Sequence, residues 1–139
     1  MNDGAVLTRL LHAIDSVDWP TVRACFTDKV HIDYTSLFGG EPETLAADEL
    51  VERWRGLLPG FDATQHLTGP VLVDADGRLD THVRSFHVLD GDIWAVHGHY
   101  SGQLRDGRIA SLTLTLFYQE GNRSLPVTAG ERAKTSPRR

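Results

Sequence analysis

Three Asp-Gly pairs, Asp76-Gly77, Asp90-Gly91 and Asp106-Gly107, separate runs in which apolar and polar residues alternate, and this spacing commits the second half of the chain to an antiparallel meander. A tight hairpin needs positive φ at its centre, which Asp and Gly adopt at low cost, so each pair marks a strand reversal. Strands are expected at about residues 63–74, 79–89, 93–105 and 108–119. In the last of these Ala110, Leu112, Leu114, Leu116 and Tyr118 share an apolar face opposite Ser111, Thr113 and Thr115.

The first third carries a different period. Leu7, Leu10, Leu11 and Ile14 recur at helical spacing, and Asp18 is placed to cap a second helix with Pro20 in its first turn and Trp19, Val22 and Phe26 as its stripe. Residues 29–35 alternate as a strand, with Val30, Ile32 and Tyr34 on one face. The loop FGGEPET interrupts, and Ala47, Leu50, Val51, Trp54, Leu57 and Leu58 then mark a third helix over about 45–58, closed by Pro59-Gly60. Helices first and a meander afterwards define an α+β fold, in which helices cover one face of a curved sheet and leave a conical pocket.

The 139 residues are the size of one domain, placed at 1–125. After Gln119 the periodic signal fades, and 126–139, ending ERAKTSPRR, reads as a flexible tail. A net charge of -5 with 40% hydrophobic residues excludes a basic nucleic-acid footprint and argues against disorder. No run approaches the roughly 20 apolar residues of a membrane span, and the start, MNDGAVLTRLLHAID, lacks a basic region before an apolar run. One cysteine, Cys25, forms no internal disulfide, so a soluble, cytoplasmic protein is expected.

Four polar side chains nonetheless fall where the local period asks for apolar ones: Asp15 in IDSVDW, Tyr34 in VHIDYTSL, His66 in ATQHLTG and His87 in VRSFHVL. Burying such groups costs free energy unless they pair or work. Asp15 continues the row of Leu7 and Leu11 on the first helix, Tyr34 follows Val30 and Ile32, and His87 shares parity with Leu79, Val83 and Leu89. His66 has mixed parity partners in Thr64, Thr68 and Leu72, so its direction stays open. A carboxylate, two imidazoles and a phenol in one cavity form an acid/base set.

DSVDW with Asp15 and Trp19, VHIDYTSL with Tyr34, TQHLTG with His66 and RSFH with His87 follow one another in the order and approximate spacing of the scytalone dehydratases. Over about residues 5–105 the chain resembles that family, which belongs to the SnoaL-like branch of the NTF2-like superfamily. The resemblance implies a conical α+β barrel, three N-terminal helices packed on a curved, mixed, mainly antiparallel sheet. It implies loss of water from a hydroxy-ketone or polyketide-type intermediate, without metal or organic cofactor. On that likeness Asp15 orients His66, His66 and His87 share removal of the α-proton and its delivery to the departing hydroxyl, and Tyr34 polarises the carbonyl. Ile14, Phe38, Trp54, His99 and Ser101 are the residues expected against a hydrophobic or aromatic small-molecule substrate, with Gln103 a further candidate. Where the family places a second pocket tyrosine, before the aspartate, this chain has Ile14, so a two-phenol clamp on the carbonyl is not expected. The family's long C-terminal segment, which closes its pocket, has no match in SLPVTAGERAKTSPRR. A homo-oligomer, dimer or trimer, is expected, with Leu112, Leu114, Leu116 and Tyr118 available if they are not core.

Other readings stay open on the residues alone. An isomerase or cyclase of the same fold needs the same acid/base pair, and a binding module needs only the cone. The Asp15–His66 pair favours an enzyme, because a binding pocket gains little from a positioned base. Metal binding is not expected: His97-Gly98-His99 lacks a short-spaced partner motif, and there is no cysteine cluster. Cys25 reads as a small buried hydrophobe rather than a nucleophile.

Overall fold

The computed structural model describes residues 3–139. Helix α1 (Ala5–Asp15) buries Leu7, Leu10, Leu11 and Ile14 and ends at the aspartate. Helix α2 (Trp19–Ala24) starts where the Asp18 carboxylate accepts the Thr21 N–H, satisfying one of the free donors of its first turn. Strand β1 (Phe26–Asp33) leads into a one-turn helix, α3 (Thr35–Phe38). The loop that follows is not wholly irregular. It contains β2 (Glu43–Ala46), whose Leu45 and Ala46 pair with Val30 and Lys29 of β1. This pairing delays the next helix, α4 (Ala47–Arg55), to residue 47, and a 3₁₀ turn at Leu58–Gly60 closes the helical part.

The meander consists of β3 (Ala63–Thr68), β4 (Leu72–Val73), β5 (Arg78–Leu89), β6 (Asp92–Arg105) and β7 (Arg108–Gly121). The strand order is β2-β1-β7-β6-β5-β3, with β4 beside β5, and among the described residues only the β1–β7 pairing is parallel. The sheet is mixed and mainly antiparallel, and it stays open between its edges β2 and β3 rather than closing into a barrel. At two turns both residues take positive φ, Asp90 and Gly91 at 51° and 78°, Asp106 and Gly107 at 53° and 75°, the type I′ geometry that the dipeptide favours. The expected strand 63–74 is split at Gly69-Pro70, where proline has no N–H to give a ladder.

Two further departures matter for the site. In β7, Tyr118 pairs with His97 but Leu116 pairs with Gly98, so Phe117 is an extra residue. Such a bulge reverses the parity beyond it. Tyr118 therefore leaves the face of Leu112, Leu114 and Leu116 and stacks on His97 outside, ring centroids 4.3 Å apart. Leu112 and Leu114 are core residues, which leaves Phe117 and Tyr118 as the exposed apolar groups of this strand.

The C-terminal stretch assigned to a tail instead forms helix α5 (Leu125–Thr135), docked on the 3₁₀ turn through buried Leu125 and Ala129. Gly60 permits that approach, since a Cβ there would lie 1.7 Å from the Ala129 carbonyl oxygen. The helices and the inner face of the sheet enclose a core of Leu7, Leu10, Val22, Phe26, Val30 and Ile109, all fully buried. No helix among the described residues is long and apolar enough to cross a membrane.

Candidate active site

Asp15 closes α1 beside β3, the edge strand, whose outward N–H groups have no strand partner. One carboxylate oxygen accepts the His66 backbone N–H at 2.8 Å, and the other accepts His66 Nδ1–H at 2.7 Å and the Thr64 hydroxyl at 3.0 Å. Ring and backbone of His66 are thus fixed by a single group. Burial raises the Asp15 carboxyl, but the bonds from His66 and Thr64 outweigh it and hold the group below the usual carboxylate range. With Nδ1 committed to an ionised aspartate, Nε2 is the open nitrogen of His66. The alternation along β3 is also resolved: His66 pairs with Ser85 and Thr64 with His87, which puts all four on the inner face.

His87 is 4% exposed. Its Nδ1–H donates to the Trp94 carbonyl at 2.9 Å, and its ring stacks on the Trp94 indole with centroids 4.4 Å apart. Burial above all, and then the neighbouring His66, push its pKa down to about 4, so the ring is neutral at pH 7 with Nε2 as an acceptor. The His66 and His87 rings meet edge to face at 5.9 Å.

The phenol side of the cavity differs from the expectation set by Ile14. A second phenol is present, Tyr100, supplied by β6 rather than by α1. Its hydroxyl lies 3.3 Å from that of Tyr34, the two rings tilted at 52°. Burial raises both phenols above their ordinary value, for Tyr34 strongly, so each keeps its proton. A separation of 3.3 Å is long for an O–H···O bond, and a third oxygen set to one side, within reach of both hydroxyls, gains two donors. Tyr34 itself is the residue capping α3 rather than the last of β1.

Tyr34, Tyr100, His66 and His87 line one apolar cavity, with Asp15 behind His66. Of the residues expected against a substrate, Ile14, Phe38 and Trp54 stand in its wall. His99 and Ser101 do not. His99 faces Asp80 across the outer surface at 3.5 Å and lies against His82, while Ser101 sits with Gln103 in a separate polar groove on that side. The cause is the pleat of β6: Trp94, Val96 and Tyr100 point inward, so the alternate residues His97, His99 and Ser101 point out. The small polar residue of the cavity is Ser85, which shares the parity of His87 and was legible on that ground. Among the described residues, no group of three or more His, Cys, Asp or Glu side chains is placed to hold a metal ion.

Helices packed over one face of an open, mixed sheet, with an apolar cavity between the layers, define the NTF2-like α+β class. Within that class the chain belongs to the SnoaL-like family, whose domain model matches residues 4–110. Among solved structures it is similar to the Kribbella flavida protein Kfla4162, with 28% identity over 90% of this chain and 92% of that one and a TM-score of 0.75. A Novosphingobium aromaticivorans protein provisionally named a scytalone dehydratase shares 14% identity over 86% and 84% of the two chains, with a TM-score of 0.69. An M. tuberculosis epoxide hydrolase shares 14% identity over 95% and 91%, with a TM-score of 0.66. At such identities the last two likenesses are of fold alone. No curated protein matches the chain in sequence.

Proposed function

We propose that this SnoaL-like domain is a dehydratase that removes water from a small, largely apolar hydroxy-carbonyl compound of polyketide type, by acid/base chemistry alone. The carrying observation is the 2.7 Å bond from His66 Nδ1 to a doubly anchored Asp15, with the same ring lining a cavity that also holds two neutral phenols and His87. A pocket that only binds has no use for a base oriented in this way.

In the proposed reaction the carbonyl oxygen sits within reach of both the Tyr34 and Tyr100 hydroxyls, which stabilise the negative charge as the enolate forms. His66 Nε2 removes the proton α to the carbonyl and becomes an imidazolium held by Asp15. The β-hydroxyl, oriented by the neutral His87 Nε2, leaves with the proton that His66 returns to it. The C–H and C–O bonds break, a C=C bond forms, one water departs and the enzyme is unchanged. Positioned proton transfer contributes roughly 10²–10⁴-fold and one oxyanion donor roughly 10²–10³-fold, enough for an activated α-proton. The family's fold and its neighbour provisionally named a scytalone dehydratase support this chemistry, while the relocated phenol argues for a substrate held in a different pose.

The test is a panel of one- and two-ring β-hydroxy ketones, followed by mass and by absorbance of the conjugated product. Loss of one water, abolished in His66→Ala and retained in Thr68→Ala, is expected. A product isomeric with the substrate, formed with no loss of water, identifies an isomerase instead, and binding without turnover identifies a ligand carrier.

A further inference from the structure

The C-terminal segment does more than pack. Beyond α5 the backbone N–H of Arg138 donates to the Pro59 carbonyl at 2.7 Å, which brings the side chain under the end of α1. There one guanidinium nitrogen donates to the Asp15 backbone carbonyl at 2.9 Å, and the other reaches the Thr64 hydroxyl at 3.4 Å. That hydroxyl in turn donates to the Asp15 carboxylate oxygen that holds His66 Nδ1. Nε of Arg138 is buried without a partner, and burial is the main influence on the guanidinium. A cation kept partly out of water, with one donor unmet, is costly unless its other bonds are needed. The α1 carbonyl it meets is one of the helix's free C-terminal acceptors, where a positive charge is favourable.

We propose that Arg138 is a positioning residue for the Asp15–His66 pair: it anchors the Asp15 main chain and the Thr64 hydroxyl from behind, so the far C-terminus sets the orientation of the base in the cavity. This inference rests on the reading of Asp15 and His66 as a working pair, but not on which reaction they run. The segment 136–139 thereby joins the site through a chain of bonds from Arg138 through Thr64 to Asp15 and His66. Arg132, on α5 itself, makes a different link, to Asp62 at 3.0 Å, and serves as the internal comparison.

The experiment reads the His66 ring in the folded protein, by solvent exchange of its Nδ1–H and by its tautomer in ¹⁵N-edited spectra. Arg138→Gln is expected to speed that exchange at least about tenfold and to mix the tautomers, because opening of the Asp15–His66 bond becomes easier. Arg138→Lys, which keeps a donor for the Asp15 carbonyl, should recover part of the protection, and Arg132→Gln should stay within about twofold of the native rate. Removal of Arg138 and Arg139 together provides a second variant, which also gives up the main-chain bond to Pro59. An exchange rate unchanged in Arg138→Gln and in the truncation overturns the proposal, as does equal acceleration in Arg132→Gln, which assigns the effect to α5 docking in general. Asp15→Ala separates the two levels: if it leaves the Nδ1–H rate unchanged, the pair itself is refuted, whatever Arg138 does.

Discussion

Acidification should unfold this protein partly through one histidine. His87 is 4% exposed and titrates at about 4, whereas an imidazole in an unfolded chain titrates near 6.5. Between those values the unfolded chain binds a proton that the folded protein refuses, so stability falls as pH falls through this window and is level above it. From pH 7 to pH 4.5 the linkage amounts to about 2.5 kcal/mol, because at the lower pH the unfolded site is almost fully protonated and the native one about three-quarters neutral. That is a large part of the roughly 5–15 kcal/mol typical of a domain. Asp15 does not confuse the measurement: its depressed carboxyl is ionised in both states above about pH 4, and its own contribution is lost only below that. The assay is urea denaturation followed by tryptophan fluorescence at both pH values, on the native protein and on His87→Gln, which keeps an N–H for the Trp94 carbonyl but cannot titrate. The variant starts less stable, having lost the stack on Trp94, so the quantity compared is the drop between pH values. The native protein should lose about 2.5 kcal/mol more than the variant, since the other six of the seven histidines are common to both. Equal losses in the two proteins would refute the account of His87 as a buried neutral ring.

Further outcomes follow from the same geometry. Asp15→Asn should lower turnover by roughly 10²-fold or more and also destabilise the fold by about 1–3 kcal/mol, read by denaturant midpoint, because the His66 N–H and ring both lose a charged acceptor. Tyr34→Phe and Tyr100→Phe should each slow turnover by roughly 10²-fold with stability nearly unchanged, and the double variant should cost less than the product of the two if both donate to one oxygen. His99→Ala and Ser101→Ala, on the outer face, should leave kcat and KM within about twofold of native. Gly60→Ala should destabilise by about 1–3 kcal/mol, since α5 must move to admit the Cβ, and the melting temperature reports it.

The hairpins were readable because period and turn chemistry are local: Asp90-Gly91 and Asp106-Gly107 adopt the positive φ that defined them in sequence. The bulge at Phe117 was not, because an inserted residue leaves no local mark and only the partner strand shows that Tyr118 has changed sides. Helix α5 was invisible for a related reason. Only Leu125 and Ala129 are buried in it, and its docking depends on Gly60, far away in the chain. In the site, parity located Asp15, Tyr34 and His87, whereas His66 on an edge strand came from the family resemblance alone. Tyr100 is not distinguishable from Trp94 and Val96 in the sequence because a phenol on an apolar face reads as core, and its partner Tyr34 lies 66 residues earlier.

That one carboxylate holds both the ring and the main chain of His66 has a consequence for reading relatives of this chain. On the proposed reading a change at Asp15 brings two losses, one in turnover and one in the attachment of an edge strand to a helix. A descendant that had abandoned the chemistry would still be under pressure to keep the aspartate for its fold. Retention of this residue is therefore poor testimony to activity, and the two phenol hydroxyls, which can be removed with stability nearly unchanged, are the better witnesses.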